Sequence, residues 1–117
     1  MAELPEELKE RFEREVNSHP VMLYMKGTPE FPMCGYSQRA AQCFKAIGAP
    51  VGHVNVLVDP EAWEGIKLYS DWPTIPQIFI GGEFVGGSSI VVEMLESGEL
   101  EEKVKAAREK AGAGSSS

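Results

Sequence analysis

Lys26-Gly27-Thr28-Pro29-Glu30-Phe31-Pro32-Met33-Cys34-Gly35-Tyr36-Ser37 joins a short apolar run to an amphipathic one. The run before it, Val21-Met22-Leu23-Tyr24-Met25, has the length and continuity of a buried strand. After it, Ala40, Ala41, Phe44 and Ile47 repeat on one face of a helix predicted over about 35–48, with Gly48 as its stop. Two prolines and a glycine between them read as a loop. A strand, a loop and a helix in that order put Cys34 at a helix N-terminus. Unpaired N–H groups and the positive end of the macrodipole favour a thiolate there. Lys26, at the end of the strand, supplies a second positive field.

The rest of the chain repeats this alternation. Pro5, Glu6, Glu7 and the spacing of Leu8, Phe12 and Val16 predict a first helix over about 5–18. His53 to Val58 alternates as a strand. Asp59 as N-cap and Pro60 at the first helical position open a helix carrying Trp63, Ile66 and Tyr69. Gln77–Ile80 and Glu83–Val85 flank Gly81-Gly82, a two-residue hairpin signal. Helices follow over about Ser89–Ser97 and about 100–111, and residues 112–117 read as a disordered tail. The βαβ unit demands parallel strands and the hairpin an antiparallel edge. The expectation is one α/β domain over residues 1–111, a mixed sheet covered by helices on both faces.

With 117 residues, the chain has room for one core. Its 18 acidic against 11 basic residues give a formal charge of −7, which argues against a nucleic-acid partner. No apolar run approaches the roughly 20 residues needed to span a bilayer. Between the acidic first helix and the charged C-terminal one, the cations are Lys26, Arg39, Lys45 and Lys67. An anionic ligand must be caught by these few. Two cysteines cannot build a disulfide framework, and the acidic N-terminus resembles no targeting segment. A reducing cytoplasm is expected, or an organelle matrix if a targeting segment has been removed.

Cys34-Gly35-Tyr36-Ser37 has the spacing of a Cys-x-x-Cys redox motif with serine in the second place, and a hydroxyl cannot resolve a mixed disulfide. Cys43 lies nine residues along the same helix, roughly 13 Å away at 1.5 Å per residue, beyond the ~7 Å reach of a disulfide. Cys34 therefore acts alone, and Cys43 reads as packing. A lone thiolate needs an external partner. Iron–sulfur clusters take four thiolates, which two chains and two small thiols would supply. Gly86-Gly87-Ser88-Ser89 leads into a helix N-terminus, which reads either as an anion site or as a serine cap after a turn. With Lys26 and Lys67, two such termini around one thiolate suit a small dicarboxylate thiol such as glutathione. Thr74-Ile75-Pro76 places proline just before a strand; a cis bond there would free the preceding backbone to pair with an extended peptide, although trans is the commoner form.

These residues together resemble the monothiol glutaredoxins, usually written Cys-Gly-Phe-Ser. The matching motifs are Lys26-Gly27-Thr28-Pro29 with Pro32-x-Cys34-Gly35-Tyr36-Ser37, then Tyr69-Ser70-x-Trp72-Pro73-Thr74-Ile75-Pro76-Gln77, then Gly82-Glu83-Phe84-Val85-Gly86-Gly87. The resemblance covers about residues 20–110. It implies a thioredoxin-like fold with a central four-stranded mixed sheet and Pro76 cis. It implies a [2Fe-2S] cluster bridging a homodimer, each chain giving Cys34 and one glutathione, with the apo form a monomer and apo-proteins as recipients. By the same resemblance Cys34 is the metal ligand and the catalytic thiol. Lys26 and Lys67 face glutathione carboxylates, Thr74 and Ile75 pair with its backbone, and Pro76 is counted with them among the glutathione-binding residues. Gly87, Ser88 and Ser89 hold its γ-glutamyl end, Trp72 shapes the groove, and Tyr36 is counted among the glutathione-binding residues.

Three departures stand out. Tyr36 replaces the usual phenylalanine. Ser88-Ser89 replaces Cys-Asp, so a neutral acceptor stands where a carboxylate would meet the γ-glutamyl ammonium, which predicts a weaker hold on glutathione. Trp63 stands where relatives often carry an arginine, leaving more to Lys67 or Arg39. Two functions compete: a carrier that transfers the cluster by ligand exchange, and a glutathione-dependent oxidoreductase that clears mixed disulfides through Cys34.

Overall fold

The apolar run Val21–Met25 becomes the first strand, β1, and all five residues are buried. Continuous burial is what a central strand with both faces covered requires. The computed structural model describes residues 3–115. Around β1 the sheet is completed by β2 (Gly52–Asn55), β3 (Gln77–Ile80) and β4 (Glu83–Gly86) in the order β2-β1-β3-β4. β1 runs parallel to β2 and antiparallel to β3, which pairs antiparallel with β4. This is the expected four-stranded mixed sheet.

Alternate side chains of β1 divide the core in two. Val21, Leu23 and Met25 join Ile78 and Ile80 beneath α2 (Gly35–Ala46), α4 (Ser88–Ser97) and α5 (Glu99–Ser115). Met22, Tyr24 and Phe79 face the other way, against α1 (Glu6–Ser18) and α3 (Pro60–Ser70). Phe12 of α1 is fully buried there, edge-on to Tyr24. Gly65 of α3 permits this approach, because a Cβ at that position would come within 2.7 Å of the Phe12 ring. Among the described residues no helix is long and apolar enough to cross a membrane.

Several boundaries differ from expectation. The strand predicted over His53–Val58 stops at Asn55, and Val56–Val58 form a 3-10 turn. The Asn55 side chain accepts from the Leu57 N–H and caps that turn, which ends the ladder. Leu57 and Val58, which alternation placed in the strand, are exposed. The last helix, expected to end near residue 111, continues through Ser115, so the predicted tail is helical over 112–115, and its final two residues lie outside those described. Helix α4 starts at Ser88, with Gly87 as its N-cap, one residue earlier than the sequence suggested.

Candidate functional site

The Lys26–Ser37 segment is closed on itself by its own backbone. Thr28 and Phe31 exchange N–H···O=C bonds of 3.2 and 3.0 Å, and the Met33 N–H donates to the Lys26 carbonyl at 2.9 Å. Gly27, at φ 91°, makes the turn; a Cβ there would collide with the Phe31 carbonyl oxygen. The Gly27 N–H donates to Asn55 Oδ1 at 2.9 Å, so the amide that caps the 3-10 turn also anchors this loop. A long loop is thereby drawn back, and Cys34 returns beside the strand end that carries Lys26.

Cys34 is the N-cap residue of α2 and is partly exposed. The Ser37 N–H dipole is the largest influence holding its thiol below the ordinary value; the Tyr36 N–H, the Lys26 ammonium and the Ser37 hydroxyl add to it, and partial desolvation opposes them. No side-chain hydrogen bond caps the helix, so these N–H groups act as oriented dipoles at longer range rather than as capping contacts. Ser37 is fully buried, and its hydroxyl accepts from the Lys26 N–H at 3.0 Å. The residue in the second cysteine's place is thus a strut between β1 and α2. Cys43 is buried in the core, and burial pushes its thiol up.

Every residue the sequence nominated lines one groove of about 670 Å³. Cys34 and Tyr36 come from the start of α2, Lys26 from the end of β1 and Lys67 from α3. Trp72, Thr74, Ile75 and Pro76 form the connection into β3, and Gly87, Ser88 and Ser89 the start of α4. The Ile75-Pro76 bond is cis. Arg39 and Trp63 complete the cationic side. Lys67 Nζ lies 4.8 Å and Lys26 Nζ 5.3 Å from the centroid of the Trp63 ring. Trp63 therefore gathers the two ammonium groups, a contact that the sequence did not reveal.

Two contributors escaped the sequence reading. Asn55 looked like a strand residue, and nothing in its neighbours announces that its side chain serves two N–H groups. Gln77 belongs to the motif around Pro76, which by itself gives it no role. It is fully buried at the start of β3, and its Nε2 donates to the Trp72 carbonyl at 2.9 Å and the Thr74 carbonyl at 3.2 Å. Gln77 fastens the wall on which Trp72 and Thr74 sit.

Residues 21–85 match the glutaredoxin family. Over 101 residues the chain is 46% identical to a ycf64-like monothiol glutaredoxin of Synechocystis, covering 86% of this chain and 94% of that one. It is 47% identical over 104 residues to the chloroplastic monothiol glutaredoxin S14 of Arabidopsis thaliana, covering 89% of this chain but only 60% of that protein's length. The solution structure of a reduced apo S14 glutaredoxin from poplar superposes with a TM-score of 0.76 at 48% identity, covering 86% of this chain and 93% of the other.

Proposed function

Because this chain belongs to the monothiol glutaredoxins of the thioredoxin-like fold, we propose that it carries a glutathione-ligated [2Fe-2S] cluster, shared by two copies, and passes it to apo-proteins. The observation that carries this reading is the isolation of Cys34. It is the cysteine in the groove, its thiol is lowered, and Cys43 is sealed in the core. Among the described residues no three His, Cys, Asp or Glu side chains gather into a metal site. A cluster needing four thiolates must therefore be completed from outside the chain, by a second Cys34 and two small thiols.

The groove suits glutathione as that thiol. Lys26, Arg39 and Lys67 offer charge to its carboxylates, and the segment at Thr74 and Ile75 offers backbone to its peptide groups. Phe31, Met33 and Tyr36 are 77%, 68% and 64% exposed around Cys34, an apolar rim for a second copy or a recipient to cover. In this reading Cys34 is a ligand that incoming thiolates displace stepwise. The chemistry requires a compartment that keeps Cys34 reduced, such as the cytoplasm or an organelle matrix.

The lowered, partly exposed Cys34 thiol also supports the oxidoreductase reading. There the thiolate attacks a protein–glutathione disulfide and releases the protein thiolate. A second glutathione then breaks the Cys34–glutathione disulfide, regenerating the thiol and leaving oxidised glutathione. Anaerobic reconstitution with iron, sulfide and glutathione separates the two. The carrier reading expects a visible chromophore eluting at dimer mass and absent from Cys34→Ser or without glutathione. A colourless monomer that turns over mixed disulfides would overturn it.

A further inference from the structure

The groove wall is charged in one sense only. Among the described residues lining it are three cations, Lys26, Arg39 and Lys67, and no aspartate or glutamate. This stands out in a chain whose formal charge is −7. The end of the groove farther along the chain is built by Gly87, Ser88 and Ser89 at the start of the ten-residue helix α4, with no side-chain cap. Helix N–H groups and their dipole there favour an anion and disfavour a cation. Ser88 is buried and Ser89 exposed, and each offers a neutral oxygen.

Glutathione carries two carboxylates and one ammonium. In this groove the carboxylates find lysines, an arginine and a helix N-terminus. The ammonium finds no carboxylate, and a neutral hydroxyl accepts its hydrogen bond without the opposite charge that an ion pair would add. We propose that the groove selects its thiol by carboxylates alone, so that anionic thiols with a blocked or missing α-amine are ligands as good as glutathione. This rests on the glutathione reading above and specifies the ligand class of the same site. An acyl group on the amine has somewhere to go, because Ser89 and Ile90 at that end of the groove are both exposed. Ser89 becomes the specificity-determining position. A carboxylate there would sit in the first turn of α4, where the helix dipole tolerates it, and would supply the missing partner for an ammonium.

Titration calorimetry with reduced glutathione and with N-acetylglutathione tests this on the wild-type chain and on Ser89→Asp. The wild type is expected to bind the two within about threefold of each other, and Ser89→Asp to favour glutathione by about tenfold, the scale of one charge-assisted hydrogen bond. N-acetylglutathione binding the wild type more than about tenfold more weakly than glutathione would overturn the inference while leaving the glutathione reading intact. Equal binding of both thiols by Ser89→Asp would overturn the assignment of selection to Ser89. If neither thiol binds the wild type, the glutathione reading itself falls, and this inference with it.

Discussion

The Lys67 ammonium lies 4.8 Å from the centroid of the Trp63 ring, and the Lys26 ammonium lies 5.3 Å from the same point. Lys26 ends a strand and Lys67 rides a helix, so no local rule brings them together. The aromatic face does so by attracting both charges. Two long side chains that would otherwise roam are held over the groove before a ligand arrives, which lowers the ordering cost of binding.

Trp63→Ala is therefore expected to weaken glutathione binding by about three- to tenfold, because the two ammonium groups lose the ring that holds them and must be ordered when the ligand binds. Trp63→Phe should fall between, since a phenyl face attracts cations less strongly. Calorimetry measures both; wild-type affinity in Trp63→Ala would exclude a positioning role for the ring.

Ser37 joins the helix that follows Cys34 to the strand that carries Lys26. Its buried hydroxyl accepts the Lys26 N–H, so Ser37→Ala leaves that donor unpaired, at a cost of about 1–3 kcal/mol. Ser37→Cys keeps a weak acceptor of similar shape and should lose less. Urea unfolding ranks the three proteins, and equal midpoints for Ser37→Ala and wild type would contradict the strut.

The parts of this molecule readable in the sequence are those whose cause is local. Val21–Met25 is apolar throughout because both faces are covered, and Asp59-Pro60 announces a helix start that the structure reproduces, with Asp59 accepting from the Ala62 N–H. The groove was legible in part because Cys34, Lys26, Thr74–Pro76 and Gly87–Ser89 sit at element ends and connections, whereas Tyr36 and Trp72 were nominated by the family resemblance. Asn55, Gln77 and Trp63 were not, because an amide or an indole does not reveal its partner. Asn55 turned an alternating pattern into a capped turn, an effect that β-propensity does not encode. Trp63 read as the loss of an arginine, while in space it organises two lysines. At the C-terminus, Gly112 and Gly114 looked like an ending, yet glycine costs a helix only ~1 kcal/mol and does not forbid it.

The reactivity of Cys34 should follow pH in a defined direction. The Ser37 and Tyr36 N–H dipoles and the Lys26 charge lower its thiol, so alkylation by iodoacetamide should reach half its plateau rate below the pH found for a free cysteine. Lys26→Gln removes one of these influences and should move the midpoint upward, with added salt moving the wild type the same way. Because the folded value is the lower one, the thiolate's contribution to stability is full above the unfolded value and disappears as pH falls through the folded one. An unshifted midpoint in Lys26→Gln would remove that lysine from the account.

Asp59 links the N-terminal helix to the groove. It caps α3, the helix that carries Trp63 and Lys67, and its carboxylate takes the Arg11 guanidinium of α1, which also pairs with Glu15. The Arg11 hydrogen bond, with help from the Ala62 N–H, holds the Asp59 carboxyl below its ordinary range against partial desolvation. A depressed folded value means that this stabilisation is present above the unfolded pKa, about 4, and is lost as pH falls through the folded one. Asp59→Asn keeps an oxygen for the cap but gives up the charge, so it should cost about 1 kcal/mol near neutrality, where a partly buried ion pair is intact. Denaturant unfolding of both proteins across the acid range tests the sign: the gap should be constant at mild pH and close as the wild-type carboxyl protonates. A gap that persists undiminished in strong acid would place the effect in the cap geometry rather than in the bond to Arg11.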